Sequence, residues 1–235
     1  MLLRRLAPWI VLLCTAGCFP RATVPDTERQ RISRELDGQQ RWLAVSLHAG
    51  PLYGDGSKLL VSPHPFRELE LLQDVDGRVI EPPPAERVIP AGTPVRISRV
   101  ELPTGWIIAR RVVMTPRYHP WVFLEAPGES QPLVLVLRQD AATYDDVRAE
   151  LDAVLTGTDP APVIRALSAE QRAAMERKSV LEGMSPRAVE MAWGPPWKRI
   201  LDVPARREEW VWPGEHRRVW FEDGRLVRWS ERLPQ

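Results

Sequence analysis

The sequence contains little cysteine, no asparagine and few lysines. Its two cysteines, Cys14 and Cys18, both lie near the N-terminus, so the rest of the chain can form neither a disulfide framework nor a cysteine metal site. Three lysines accompany 29 arginines, and the formal net charge is +1. That balance excludes the strongly basic character on which whole-chain binding to nucleic acid depends, and we expect no nucleic-acid partner.

Long apolar runs are missing as well. The run over residues 6–13 is shorter than the roughly 20 residues that a bilayer-spanning helix needs. Arg4 and Arg5 precede it and three small residues, 15–17, follow it, which is the order of charged, apolar and small segments in a signal peptide. The sequence therefore predicts a cleaved signal over residues 1–17.

The residues at the end of this segment resemble the lipobox of bacterial lipoproteins. Thr15-Ala16-Gly17-Cys18 places small residues before a cysteine, with Thr15 where the usual pattern has leucine. The resemblance implies acylation, including palmitate, at Cys18. Phe19 stands where an aspartate would imply retention in the inner membrane, so the resemblance implies the periplasmic face of the outer membrane. An ordinary secretory signal cut nearby is the alternative.

Short β-strands are the pattern of the next part of the chain. Apolar residues alternate over 43–47, and turn signals such as Asp76-Gly77 recur with little helical periodicity between them. Residues 88–97 are similar to one strand of bacterial SH3-like barrels. We expect residues 18–40 to be a tether, with a solvated helix over residues 29–41 as the alternative for its second part. Residues 41–157 are expected to form a small SH3-like β-barrel.

Helical signals follow. A helical period over residues 143–155 predicts a helix that closes the barrel domain. Ser168 and Gln171 have the spacing of a capping box, and a proline directly after Ser185 predicts another helix start. We expect residues 158–235 to form a second domain that begins with these two helices.

A terminal hairpin is predicted by the Asp-Gly pair at residues 223–224. A two-residue turn there would pair Phe221 with Leu226 and Trp220 with Val227. Each face of the hairpin would then receive one apolar pair.

Four segments of this second domain, residues 180–189, 193–196, 209–212 and 219–227, resemble the BamE/SmpA-like family of small outer-membrane lipoproteins. The resemblance implies two helices followed by an antiparallel sheet of three or four strands, and an α+β class for the whole chain. Familiar members are accessory parts of the outer-membrane β-barrel assembly machine. The same fold serves other envelope proteins, so the likeness implies a fold before it implies a role.

Tryptophan is concentrated in this region, with six of the ten residues between Trp193 and Trp229. These rings have two interpretations, a core without disulfides or, beside arginines, a protein-binding surface. We expect most to be core. The predicted partner-binding residues are Trp210, Trp212, Trp229, Arg218 and Arg228, and of the two in the 210–212 pair one is expected to be exposed.

Catalytic patterns are weak. The four histidines, His48, His64, His119 and His216, lack ligand spacing, and no Gly-x-Ser-x-Gly motif is present. We therefore predict no catalytic residue, no metal, no cofactor and no enzyme activity. An envelope hydrolase is the competing hypothesis, and it would need His119 or His48 beside a serine and a carboxylate.

The sequence thus predicts a lipid-anchored binding or scaffolding protein of the cell envelope, with accessory work in outer-membrane protein assembly as the narrower expectation. Its partners would be the membrane, through the N-terminal lipid, and an envelope protein. The alternative is peptidoglycan binding through the SH3-like domain.

Overall fold

The computed structural model describes residues 24–213 and 216–231. The predicted signal over residues 1–17 and the lipidation at Cys18 lie outside this part. The described chain is α+β, as predicted, with six α-helices and two sheets of twelve strands in all. The helices are α1 (Asp26–Leu36), α2 (Gly105–Arg110), α3 (Tyr144–Asp152), α4 (Ala161–Arg165), α5 (Ala169–Glu176) and α6 (Pro186–Trp193). The strands are β1 (Gln40–Leu43), β2 (Leu47–Leu52), β3 (Asp55–Ser62), β4 (Arg87–Ile89), β5 (Pro94–Glu101), β6 (Trp121–Glu125), β7 (Leu133–Val136), β8 (Leu155–Thr156), β9 (Lys198–Asp202), β10 (Arg207–Val211), β11 (Arg217–Glu222) and β12 (Arg225–Glu231).

The first sheet has eight strands in the order β4-β2-β3-β7-β6-β5-β1-β8. Its neighbouring strands are antiparallel except β3 and β7, which are parallel. Within the described chain, β4 pairs with β2 and β8 pairs with β1, so the two ends of the sheet do not meet. The prediction of a closed SH3-like barrel is therefore wrong.

The first sheet is strongly curved, although it does not close into a barrel. Strands β1 and β2 are joined by residues 44–46, yet four strands lie between them in the sheet. A flat sheet would separate them by about 24 Å, whereas the chain from Leu43 to Leu47 reaches at most about 14 Å. The sheet must curl, but β4 has three residues and β8 has two, too few to close the gap along its length.

The central strands of this sheet are buried on both faces. On one face, Val122, Leu124 and Leu133 pack in a core that helices α1 and α3 cover. On the other, Leu60 and Phe123 pack in a smaller core. Burial on both faces makes these strands the rigid part on which the surrounding loops rest.

Helix α1 corrects the predicted tether of residues 18–40. It buries Ile32 and Leu36 in the first core, and Glu28 Oε2 accepts a hydrogen bond of 2.7 Å from the backbone N–H of Tyr144 at the start of α3. The sequence left a solvated helix over residues 29–41 only as the alternative to a tether, because two apolar residues among charged neighbours give a weak periodic signal.

The second sheet is an antiparallel meander in the order β12-β11-β10-β9. Helices α4, α5 and α6 precede it and share its core. The predicted BamE-like layout of two helices plus a sheet is not evident and is corrected here. Three helices are present instead, and α6 is tied to the first sheet, because Met191 O accepts a hydrogen bond of 2.7 Å from Ser46 N.

Candidate functional site

A cleft of about 790 Å³ opens where β3 and β7 end. Because these strands are parallel, their carboxyl ends at Ser62 and Val136 lie at the same edge of the first sheet. Segment 69–73 forms one wall, and the loop before β6 forms another. The side chains that line these walls include Pro63, His64, Leu69, Leu71, Leu72, Gln73, Pro116, Tyr118, His119, Val136, Arg138, Glu150, Val154 and Pro195.

The wall at residues 69–73 is fixed by the turn that follows it. Asp74 Oδ1 accepts hydrogen bonds of 2.9 Å from the backbone N–H groups of Asp76 and Arg78, and Leu72 O accepts one of 2.8 Å from Ile80 N. The turn predicted at residues 76–77 is therefore present, although its strands are reduced to one isolated β-bridge. Leu69 and Leu71 pack against the smaller core beneath the cleft.

His119 and Glu150 are the residues of the cleft that most resemble a catalytic pair. Both make hydrogen bonds to other residues of the chain. His119 Nδ1–H donates to Leu137 O at 2.8 Å. Burial lowers the pKa of His119, Arg111 lowers it further and Glu150 opposes both. Glu150 in turn accepts from Arg138 N at 3.0 Å and from Arg138 Nε at 3.2 Å. These contacts position the residues as part of the wall.

His64 lies on another wall of the cleft. Its backbone N–H donates to Ser62 Oγ at 2.9 Å, while its buried Nδ1 has no partner in the described chain. Burial lowers the pKa of His64 to about 4, and the positive charges of Arg217 and Lys178 lower it in the same direction. The imidazole is therefore neutral at pH 7.

Three further basic residues interact electrostatically with His64, and the four, His48, His64, Lys178 and Arg217, are called the cationic cluster. Lys178 and Arg217 are buried, and the two histidines are half-buried. Lys178 Nζ donates to two carbonyls, Ser46 O at 2.5 Å and Ala192 O at 2.9 Å. Burial lowers the pKa of Lys178 well below its ordinary value. This side chain therefore joins the segment before β2 to the end of α6.

Glu68 supplies the negative charge at this cluster. Its Oε2 accepts from Arg217 Nη2 at 3.1 Å, and both side chains are buried. The carboxylate opposes the fall in the pKa of Arg217 and of Lys178 that burial causes. The pKa of His48 is lowered to about 3, first by burial and then by Lys178. The Glu68 carboxylate thus acts on Lys178 and Arg217, and Glu231 also opposes the fall in the pKa of Arg217.

Two predicted partner-binding residues are in the core instead. Trp210 is 2 % exposed and Trp212 is not exposed at all. The ring centroid of Trp210 lies 4.9 Å from that of Phe221, and Trp212 meets Trp193 edge to face at 5.3 Å. The expectation that one of the pair is exposed is wrong, because both rings fill the space between α6 and the second sheet.

The other three predicted residues lie away from both the cleft and the core. Trp229 is 41 % exposed on the edge strand β12. The guanidinium of Arg228 lies 4.0 Å from the ring centroid of Trp220, and Arg218 Nη1 donates to Glu209 Oε1 at 3.1 Å. Their part in partner binding stays a prediction, on a surface separate from the cleft.

Sequence reasoning missed the cationic cluster. Its members come from segments far apart in the chain, and Lys178 was placed only as the last residue of a helix. The only hint came from composition. Lysine occurs three times in a chain rich in arginine, so each lysine is a candidate for a position that arginine cannot fill.

Other kinds of site have less support in the part of the chain that the structure describes. Among residues 24–213 and 216–231, no group of three or more His, Cys, Asp or Glu residues is arranged to hold a metal ion. The same residues form no hydrogen-bonded grouping of serine, histidine and carboxylate of the kind that the hydrolase hypothesis requires at His119 or His48.

No helix in the described ranges is long and apolar enough to span a bilayer.

Comparisons of the chain with models of protein families, with curated proteins and with solved structures gave no match.

Proposed function

We propose that this protein is a lipid-anchored binding protein of the bacterial cell envelope, held at the periplasmic face of the outer membrane by acyl chains on Cys18. The cleft at the ends of β3 and β7 supports the binding role most directly. Its volume of about 790 Å³ falls within the roughly 300–1,000 Å³ of ligand sites, and its mainly apolar lining with a few polar groups has their chemistry.

The lining favours an apolar segment of a partner protein as the ligand. Leu71, Leu72 and Tyr118 offer apolar contact, and Gln73 adds a polar side chain to the lining. His119 and Glu150 are held by the chain itself, which favours binding over catalysis.

A membrane-proximal position follows from the chain length before the fold. Helix α1 begins at Asp26, and the segment from Cys18 to this helix reaches at most about 28 Å when fully extended. A protein acylated at Cys18 would hold its folded part near the membrane surface, which is the place for a scaffolding contact with other envelope proteins.

The peptidoglycan alternative loses its structural basis, because the first sheet is not the closed SH3-like barrel on which it depended. The accessory role in outer-membrane protein assembly rests on sequence resemblance alone. Both roles make distinct predictions about what the protein contacts, so one experiment separates them.

The experiment places a photo-crosslinking amino acid at Leu72 in the full chain, in a native host that also carries a clickable palmitate analogue. We expect palmitate on the wild type and none on Cys18→Ala. We also expect one discrete protein adduct from Leu72. The matched control is the same amino acid at Val163, which is exposed on α4 and away from the cleft.

Each outcome assigns or removes a role. Adducts with components of the barrel assembly machine would support the assembly role, and retention of the same protein in a parallel pull-down with purified sacculi would favour peptidoglycan. Absence of palmitate would overturn the anchor. Equal adducts from Leu72 and Val163, or none from Leu72, would overturn the cleft as the binding site.

A further inference from the structure

Exposed apolar side chains are concentrated in the β5–β6 loop, residues 102–120. Trp106 is 70 % exposed, Val113 68 % and Met114 51 %, and Val112 and Tyr118 are also exposed. Glu101 at the end of β5 pairs with Trp121 at the start of β6, so the whole loop projects from one edge of the first sheet. A run of three exposed apolar residues at a loop tip is unusual for a solvated surface.

A buried arginine holds this loop in shape. The Arg111 side chain is 4 % exposed, and its Nη1 donates to Arg117 O at 3.0 Å and to His119 O at 2.7 Å. Its guanidinium lies 3.8 Å from the ring centroid of Trp121, whose Nε1 donates to Pro116 O at 3.0 Å. Because these contacts fold the loop back on itself, residues 112–114 are held outward at its tip.

The charge of the loop has one sign. Residues 102–124 contain no Asp or Glu, and they contain three arginines, of which Arg110 is exposed beside Trp106 and Arg117 lies beside Tyr118. Gly54 in the neighbouring β2–β3 turn lies close to Met114. The start of β3 contributes an acid and a base that pair with each other, Asp55 and Lys58.

We propose that the β5–β6 loop is a membrane-contact surface that inserts Trp106 and residues 112–114 into the interface of an anionic bilayer. Tryptophan and tyrosine favour the boundary between acyl chains and headgroups. Arginines beside them are attracted to anionic headgroups, and the loop offers no carboxylate to repel them. The apolar tip of the loop complements the acyl chains of an anionic bilayer, and its basic border complements the headgroups.

The test uses residues 18–235 with Cys18→Ala and no acyl chain, so that it is independent of the proposed anchor. These residues include every described helix and strand. Binding is measured by sedimentation with vesicles of phosphatidylglycerol and phosphatidylethanolamine, and with vesicles of phosphatidylcholine as the neutral case. Quenching of tryptophan by brominated lipid reports insertion.

The matched variants are Val113→Asp and Val75→Asp, since Val75 is a fully exposed valine in a different turn. We expect binding to anionic vesicles, at least tenfold weaker binding for Val113→Asp, and unchanged binding for Val75→Asp. Arg110→Gln should weaken binding about fivefold, as one lost arginine at an anionic surface implies, whereas Arg165→Gln on α4 should not. Circular dichroism checks that each variant is folded.

Three results would overturn the proposal. The first is wild-type protein that stays in the supernatant with anionic vesicles. The second is equal loss for Val113→Asp and Val75→Asp, which would show a non-specific charge effect. The third is self-association in analytical ultracentrifugation that Val113→Asp abolishes while vesicle binding persists, which would assign the loop to a second copy of this chain.

Discussion

At the scale of single residues, the junction of the two sheets depends on how four basic side chains, two buried and two half-buried, are accommodated. His48 and His64 stay neutral because burial lowers their pKa values. Lys178 is held by two carbonyls, and Arg217 has the Glu68 carboxylate. The charge that remains after the histidines are neutral is therefore balanced chiefly by one residue.

Replacing that residue tests the balance. We expect Glu68→Gln to lower the free energy of unfolding by about 3–5 kcal/mol, because it removes one partner of a buried ion pair and leaves the other uncompensated. Glu222→Gln is the matched control, since the Glu222–Arg207 pair is exposed and such pairs contribute about 0–1 kcal/mol. Urea unfolding at pH 7 measures both. Equal losses would show that the Glu68–Arg217 pair contributes no more to stability than the exposed pair does.

The two neutral histidines also predict a pH dependence. In the unfolded chain a histidine has a pKa near 6.5, whereas the pKa is about 3 for His48 and about 4 for His64 in the fold. Below pH 6.5 the unfolded chain binds more protons, so stability is complete above that value and falls as the pH decreases towards the folded pKa values.

Denaturation curves at neutral pH and at about pH 5 measure this loss, before most carboxylates are protonated. We expect the double variant His48→Gln/His64→Gln to lose less stability over this interval than the wild type does. His216→Gln, outside the cluster, should keep the wild-type dependence. If the double variant follows the same curve as the wild type, the cluster is not the source of the acid sensitivity.

At the scale of helices and strands, local caps decide where several helices begin. Ser168 Oγ accepts from Gln171 N at 3.1 Å, and the Gln171 side chain returns a contact to Ser168 N at 3.2 Å. We expect Ser168→Ala to lower stability by about 1 kcal/mol and Ser168→Asp to leave it nearly unchanged, because aspartate also caps helices. Thermal unfolding of the two variants tests this, and equal losses would mean that the cap contributes little.

Elements governed by neighbours in the chain were predictable. Helices α3, α5 and α6 begin where the caps at Thr143, Ser168 and Ser185 place them. The terminal hairpin has the predicted pair of Phe221 with Leu226. Beyond it the prediction is wrong by one residue, because a β-bulge between residues 220 and 221 pairs Trp220 with Arg228 in place of Val227.

Two other features could not be predicted from the sequence. Residues 106–114 look like a strand because they are rich in apolar and β-branched residues, yet Thr104 caps a short helix there and Arg111 fixes the loop that follows. The cleft escaped prediction because it depends on contacts between distant segments. Its walls come from six separate segments of the chain, and no local pattern brings His64 near His119.

At the scale of the whole molecule, the two sheets share buried polar contacts and should unfold together. We expect urea unfolding followed by tryptophan fluorescence, to which the second sheet contributes most, to coincide with unfolding followed by far-UV circular dichroism. The physical reason is that separating the sheets would expose unpaired carbonyls and Lys178 at once. Two resolved transitions would show that the sheets are independently stable.

The placement of Ser46 has a consequence for how the protein is made. Its N–H donates to Met191 O, its hydroxyl donates to Met175 O, and its carbonyl accepts from Lys178. These partners leave the ribosome well over a hundred residues after Ser46 does. The N-terminal half of the chain therefore cannot complete its native hydrogen bonds until the C-terminal half has been made. A polypeptide truncated after residue 157 should be degraded by proteases that spare the full-length protein.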